Sequence, residues 1–250
     1  MTDIIIKKLS DSKGARWTAL LIVSFTMMMG YFLTDVMSPL ENMLETSCAQ
    51  GGMGWTSSEY GFFSGSYGII NVYLFMLFFG GIILDKMGIR FTGSMASSLM
   101  VIGAFIKFYA IAYISPEGTT YVNLPMFGLD HVMVKNQMLL ASLGFSIFGV
   151  GCEITGITVS KIITKWFTGH ELALAMGIQV ALARLGTAGA LSISVPIAKS
   201  FSLSTPILFG ASMLCIGLLA FFTYCIMDKK LDASTDAINA RNNTEEEEGF

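Results

Sequence analysis

Glu153 and Arg184 are charged residues set deep inside apolar runs of the chain. A lone charge at mid-bilayer costs ~2.5–3.5 kcal/mol on insertion scales, so such residues face a cavity or one another. Glu153 lies ten residues before the end of its run, and Arg184 lies twelve residues after the start of the next. At ~1.5 Å of rise per residue, both sit ~15–18 Å from the same membrane face, where consecutive antiparallel helices would bring them together. Two chemistries fit. One is a structural ion pair that closes a helical hairpin. The other is a binding pair, the acid for an ammonium and the guanidinium for a carboxylate. Spacing alone leaves both open, with the structural pair slightly favoured.

The other polar residues inside apolar runs have plainer readings. Asp35 lies about five residues from the outer end of the first run. It reads as a water-contacting residue of an outer vestibule in preference to a protonation site. Tyr67 and Asn71, one turn apart on the second run, either line a cavity or hydrogen-bond between helices. Lys107, seven residues from the outer end of the third run, is expected to snorkel to the interface. Gly177, Gly186 and Gly189 on the fifth run read as packing notches. The sequence carries no nucleotide loop, metal-ligand spacing or nucleophile–base set, so neither an enzyme nor a cofactor is expected. Of the four cysteines, Cys152, Cys215 and Cys225 sit inside apolar runs and Cys48 stands alone in a loop, which indicates neither disulfides nor a metal site.

A second set of residues lies in a short loop, Gly80-Gly81-Ile82-Ile83-Leu84-Asp85-Lys86-Met87-Gly88-Ile89-Arg90. Gly88 suits a tight helix-to-helix turn because glycine accepts positive φ without strain, and Gly80-Gly81 permits close helix approach. Asp85 is locally unfavourable, since a carboxylate at a helix carboxyl end opposes the dipole. Its position calls for a partner elsewhere, in a helix amino terminus of another domain together with Arg90. The plain alternative is a set of loop charges.

These residues must be positioned by membrane helices. Hydrophobic residues make up 53% of the chain and charged residues 13%, about half the share in soluble proteins, and the mean hydropathy is +0.64. Six spans are expected at about 17–40, 58–84, 91–114, 137–163, 172–195 and 205–227. Each has the ~20 residues that cross a hydrocarbon core, and only helices satisfy a single span's backbone in lipid. Lys7, Lys8, Lys13 and Arg16 precede the first span, Lys86 and Arg90 follow the second, and Lys161 and Lys165 close the fourth. Lys229, Lys230 and Arg241 follow the sixth, whereas the opposite side has only Lys135 and Lys199. Both ends are therefore expected in the cytoplasm. Residues 1–16 form a cytoplasmic segment, 17–227 the membrane domain, and 228–250 an acidic cytoplasmic tail ending near Glu245 to Glu248. That tail reads as disordered linker, and its Asn242-Asn243-Thr244 pattern should stay unglycosylated on that side.

The run Gly81-x-x-x-Asp85-Lys86-x-Gly88-x-Arg90, between the second and third spans, resembles the signature loop of the major facilitator superfamily. There the loop acts as a cytoplasmic latch between two six-helix halves; a second terminal basic residue of the pattern is replaced here by Phe91. The stretches Gly149-x-Gly151-x-Glu153, Trp166-Phe167-x-Gly169-x-Glu171-Leu172, Gly177-x-Gln179 and Ala183-Arg184-Leu185-Gly186, with Tyr31-Phe32-x-x-Asp35 and Pro39, resemble the lysosomal dipeptide transporters and their bacterial relatives. The resemblance extends over most of the chain. It implies an all-α membrane fold, the amino-terminal six-helix half of a bundle built as a 3+3 inverted repeat, and a zwitterionic substrate near the midplane. By analogy Glu153 meets the substrate's amino group and Arg184 its carboxylate. The superfamily often has a proton-coupling arginine eight residues before Glu153; here that residue is Phe145, which favours uniport or another form of coupling.

The expected function is secondary transport by alternating access, with lipid, a carboxyl-terminal six-helix half and a small zwitterion as partners, and no nucleic acid. A six-helix homodimeric channel or carrier and a non-transporting membrane sensor are the alternatives. The lack of outer sequons and of an acidic dileucine-type signal points to a bacterial inner membrane.

Overall fold

The computed structural model describes residues 8–124 and 129–248. Lys7 of the amino-terminal basic cluster and residues 249–250 of the tail lie outside them. Helix α1, Lys13–Asp35, stops where Pro39, four residues beyond Asp35, has no N–H to offer its carbonyl. A 3-10 turn, Ser38–Leu40, and the short α2, Glu41–Glu45, carry the chain on. Helix α3, Ser57–Tyr73, begins at a capping box in which the Thr56 hydroxyl accepts from the Glu59 N–H and the Glu59 carboxylate accepts from the Thr56 N–H. Two backbone donors of the helix end are thereby satisfied. Helix α4, Met76–Tyr113, contains a non-helical residue, Gly88, at φ 79° and ψ 172°. Strands β1, Thr119–Leu124, and β2, Leu129–Lys135, pair antiparallel. Helices α5, Asn136–Phe167, α6, Leu172–Ser200, and α7, Thr205–Glu248, complete the chain.

Five stretches are long and apolar enough to cross a bilayer: Lys13–Glu45, Met76–Tyr113, Asn136–Phe167, Leu172–Ser200 and Thr205–Ala240. With α3 as one further helix, the chain is an all-α multi-pass membrane protein, and lipid is its solvent.

Three expectations change. The second span, expected as one run over 58–84, is interrupted at Leu74 and at Phe75, whose backbone is left-handed at φ 49°. The remainder of that run belongs to α4. Strands β1 and β2 pair antiparallel between the third and fourth expected spans, where no regular structure was expected. The tail is helical up to Glu248, because residues 229–248 contain neither Gly nor Pro and several are good helix formers. Leu231 of that tail is buried.

Two apolar clusters stack along the bundle. One, at the hairpin end, gathers Leu33, Met37, Met100, Phe145, Phe148 and Leu214. The other, at the far end, gathers Leu20, Val23, Trp166, Phe167, Phe221 and Tyr224. Helix α1 runs through both. It packs on α6 and α7 and touches α5, while α5 packs on α3 and α4. The consecutive helices α5 and α6 meet only slightly, so α1 stands between the helix of Glu153 and the helix of Arg184. The α4–α5 contact is backbone to backbone: a Cβ added to Gly103 would lie 2.5 Å from the Gly144 carbonyl oxygen. Small residues allow such an approach.

Candidate translocation site

Glu153 and Arg184 are placed apart by the helix between them. Among the described residues, no ion pair joins the two. Glu153, half-buried on α5, accepts a 2.8 Å hydrogen bond from the Tyr67 hydroxyl of α3. The sequence prepares this contact four residues earlier, where a Cβ on Gly149 would come within 2.3 Å of the Tyr67 carbonyl oxygen. Gly149 and Glu153 share a helix face at i, i+4. Only glycine lets α3 close on α5 there and brings the Tyr67 ring beside Phe145, at 5.3 Å between centroids.

Arg184 is exposed on α6, with its guanidinium carbon 5.7 Å from the centre of the Tyr31 ring of α1. Cation–π attraction at an exposed site is worth ~0.5–1 kcal/mol, enough to orient the fork without neutralising it. One turn along α6, Thr187 donates to the Asp35 carboxylate at 2.7 Å. Tyr31 and Asp35 are themselves a turn apart on α1, so two adjoining faces carry Tyr31, Asp35, Arg184 and Thr187. Gly186 brings the faces together, since a Cβ on it would stand 2.0 Å from the Met28 carbonyl oxygen. It is the packing notch of the three glycines on α6; Gly177 faces open space and Gly189 is in ordinary contact.

A cavity of ≈ 220 Å³ lies between α1 and α3, with Thr34, Asp35, Tyr60, Ser64, Tyr67 and Phe145 among its lining residues. Asp35 and Tyr67 thus share one space. Asn71 is further along α3; its amide oxygen and nitrogen are buried and find no hydrogen-bond partner among the described residues.

Lys107 does not snorkel. Its side chain is fully buried, it donates to the Leu33 carbonyl at 2.7 Å, and its ammonium stands 4.5 Å from the centre of the Phe145 ring. The reason is the tight α4–α5 crossing at Gly103, one turn before Lys107, which leaves no route to the interface.

The loop residues divide. Gly88 forms the break in α4. Of the two glycines expected to permit close approach, Gly80 is pressed by Ile154, whereas nothing stands near Gly81. Asp85 pairs with Lys161 of α5 at 2.6 Å, both exposed. Lys86 is exposed. Arg90 reaches into a charge cluster, 3.2 Å from Asp228 and 2.7 Å from Asp232 of α7. Asp228 is fully buried and also accepts from Lys165, Trp166 and Tyr224. Asp85 and Arg90 therefore find partners inside this chain. Asp228 went unremarked in the sequence; its signal was an acid directly after an apolar run and before a lysine pair.

At the same end, Arg16, in the first turn of α1, bonds the Ser10 carbonyl at 2.7 Å and, just before α6, Glu171 at 3.4 Å. A backbone hydrogen bond within Glu171 itself is the main cause holding its carboxyl below the usual range, with Arg16 adding to it.

No family model matches the chain. It is 26% identical over 168 residues, 63% of its length, to the lysosomal dipeptide transporter MFSD1 of Danio rerio, covering 32% of that protein. To MFSD1 of Homo sapiens it is 25% identical over 173 residues, 69% of the chain and 31% of the relative. To that of Bos taurus it is 28% identical over 113 residues, 45% and 19%. The matched stretch thus spans about a third or less of each of these three relatives. The chain is thus similar in sequence to lysosomal dipeptide transporters, members of the major facilitator superfamily.

Proposed function

We propose that the chain forms one half of a secondary transporter that moves dipeptides or similar zwitterions by alternating access. The observation that carries this reading is the separation of Glu153 and Arg184, which form no ion pair with each other. Glu153 is held by an uncharged tyrosine and Arg184 by an uncharged ring. Opposite charges held apart by neutral partners suit a substrate that carries an ammonium at one end and a carboxylate at the other. Asp35, Tyr67 and Asn71 would complete the wall.

Six crossings result when α3 with the part of α4 before Gly88 is taken as the second and the part after it as the third. They form two triplets in the manner of an inverted repeat. The other wall of the pathway would come from a carboxyl-terminal half. The loop from Gly81 to Arg90 would act as latch, with the exposed Asp85–Lys161 pair opening as the halves rock and Arg90 staying clamped to α7. Both chain ends would lie in the cytoplasm. The relatives named are lysosomal proteins of vertebrates, which lends the bacterial membrane expected from sorting signals no support.

The test is thermal-shift binding of dipeptides and free amino acids to the twelve-span protein, with Arg184→Ala and Glu153→Gln in parallel. Stabilisation by dipeptides, lost in both variants, is the expected result. Dipeptide binding that survives both substitutions would make the two charges structural. Binding of no peptide at all would remove the substrate class.

A further inference from the structure

Lys107 is the least expected side chain in the bundle. A fully buried ammonium needs compensation, and the structure supplies it in an unusual form. Its ammonium donates to the carbonyl of Leu33, in the last turn of α1, where carbonyls have no helical partner. Two rings of α5 lie under it, Phe145 at 4.5 Å and Phe148 at 5.4 Å. Asp35 lies two residues beyond Leu33 at the same end of α1. Among the described residues, Asp35 forms no ion pair; its hydrogen bond comes from Thr187. An orphaned carbonyl at a helix carboxyl end, a nearby carboxylate and a break inside the membrane together attract a cation. In carriers with discontinuous helices, such carbonyl ends coordinate the coupling ion, because the helix end carries partial negative charge.

We propose that Lys107 is a tethered cation, its ammonium occupying the place at the break of α1 that a mobile monovalent cation would otherwise take. The side chain is locked there by the Gly103–Gly144 crossing and bonds the Leu33 carbonyl, two residues from Asp35. The site then needs no metal ion, whatever solute the pathway carries. Lys107 is a positioning residue: it holds the end of α1, and with it Asp35, against α4 and α5. The inference is independent of the dipeptide reading.

The experiment is thermal unfolding of the purified chain in detergent, in choline, sodium, potassium and lithium chloride at equal ionic strength. The wild-type chain should unfold at one temperature in all four. Lys107→Ala should unfold ~5 °C or more lower in choline, and at least one of the small cations should restore part of that loss. Asp35→Asn in the same background should abolish the restoration. Lys107→Arg, which keeps the charge, should stay near wild type. An alanine variant as stable as wild type, or one that no cation restores, overturns the proposal, as does a wild-type chain that itself depends on sodium or potassium. If the alanine variant does not fold, Lys107→Gln decides, because it keeps an N–H donor without the charge. A glutamine variant at wild-type stability overturns the proposal, and one that fails while the arginine variant folds sustains it.

Discussion

A tyrosine hydroxyl 2.8 Å from a half-buried carboxylate fixes where that carboxylate points, and this matters more than the charge itself if the group is to meet an ammonium. Hydrogen bonds to charged groups contribute ~1.5–3 kcal/mol. Tyr67→Phe removes the donor and keeps the ring against Phe145. Dipeptide affinity, read by thermal shift or calorimetry, should therefore weaken ~10-fold or more, with little loss of folded stability because α3 keeps its Gly149 contact. Unchanged affinity would separate Glu153 from the binding site. Glu153 and Arg184 were legible in the sequence because a charge among apolar residues stands out by type alone. Their pairings were not: Tyr67 stood out as a cavity-lining or helix-bonding residue without its acceptor being named, and Tyr31 is ordinary in a membrane helix until the packing of α1 on α6 is known. Lys107 misled for the same reason. Its distance from the outer end suggested an escape to the interface, but a crossing set by two glycines decides burial, and nothing local reports which helix crosses there.

At the scale of elements, the glycine pattern does the positioning. Gly103 on α4 and Gly144 on α5 bring two backbones into contact, and a Cβ on Gly144 would meet the Lys107 backbone nitrogen at 2.7 Å and the Gly103 oxygen at 2.8 Å. Backbone cannot yield as a flexible side chain can. Gly144→Ala should thus destabilise by ~1–3 kcal/mol, the usual consequence of overpacking, and lower the unfolding temperature in detergent. Gly177→Ala is the control. Nothing lies within 4 Å of its added Cβ, and in the middle of a helix the change should be neutral or stabilising by up to ~1 kcal/mol. Equal effects at the two positions would mean that the α4–α5 crossing is looser than described. Helix existence was legible from apolar length, and the turn at Gly88 from its residue type. The interruption at Leu74 and Phe75 was not, since no Gly or Pro marks it. The β1–β2 hairpin was hidden by its place in a loop between long spans. What holds it is tertiary: the Glu59 carboxylate of the α3 capping box also accepts from the Lys135 N–H at 2.8 Å.

For the whole molecule, the two ends of the bundle differ in kind. The end with the β1–β2 hairpin is closed by Trp55, whose indole N–H donates to buried Gln137 at 2.9 Å, and by the apolar cluster around Met37 and Leu40. The other end is closed by charge: Asp228 and Asp232 of α7 hold Arg90 and Lys165, and buried Arg16 reaches Glu171. The basic residues that guided the topology are thus partly consumed in ion pairs within the fold. The orientation rule, however, acts during insertion, before such pairs exist, so the rule and the pairs do not conflict. Cys48 offers a direct check. It is exposed at the hairpin end, whereas Cys152 is buried and Cys215 and Cys225 are half-buried on or beside the spans. In sealed cells carrying the chain in the surface membrane, a membrane-impermeant maleimide should label the wild-type chain from outside, and Cys48→Ser should remove that label. A cysteine placed at Ser234, near the opposite end where its hydroxyl accepts from the Leu9 N–H, should react only after the membrane is opened. The reverse pattern would put both ends of the chain outside and turn the proposed latch away from the cytoplasm, while leaving the geometry around Glu153 and Arg184 as it stands.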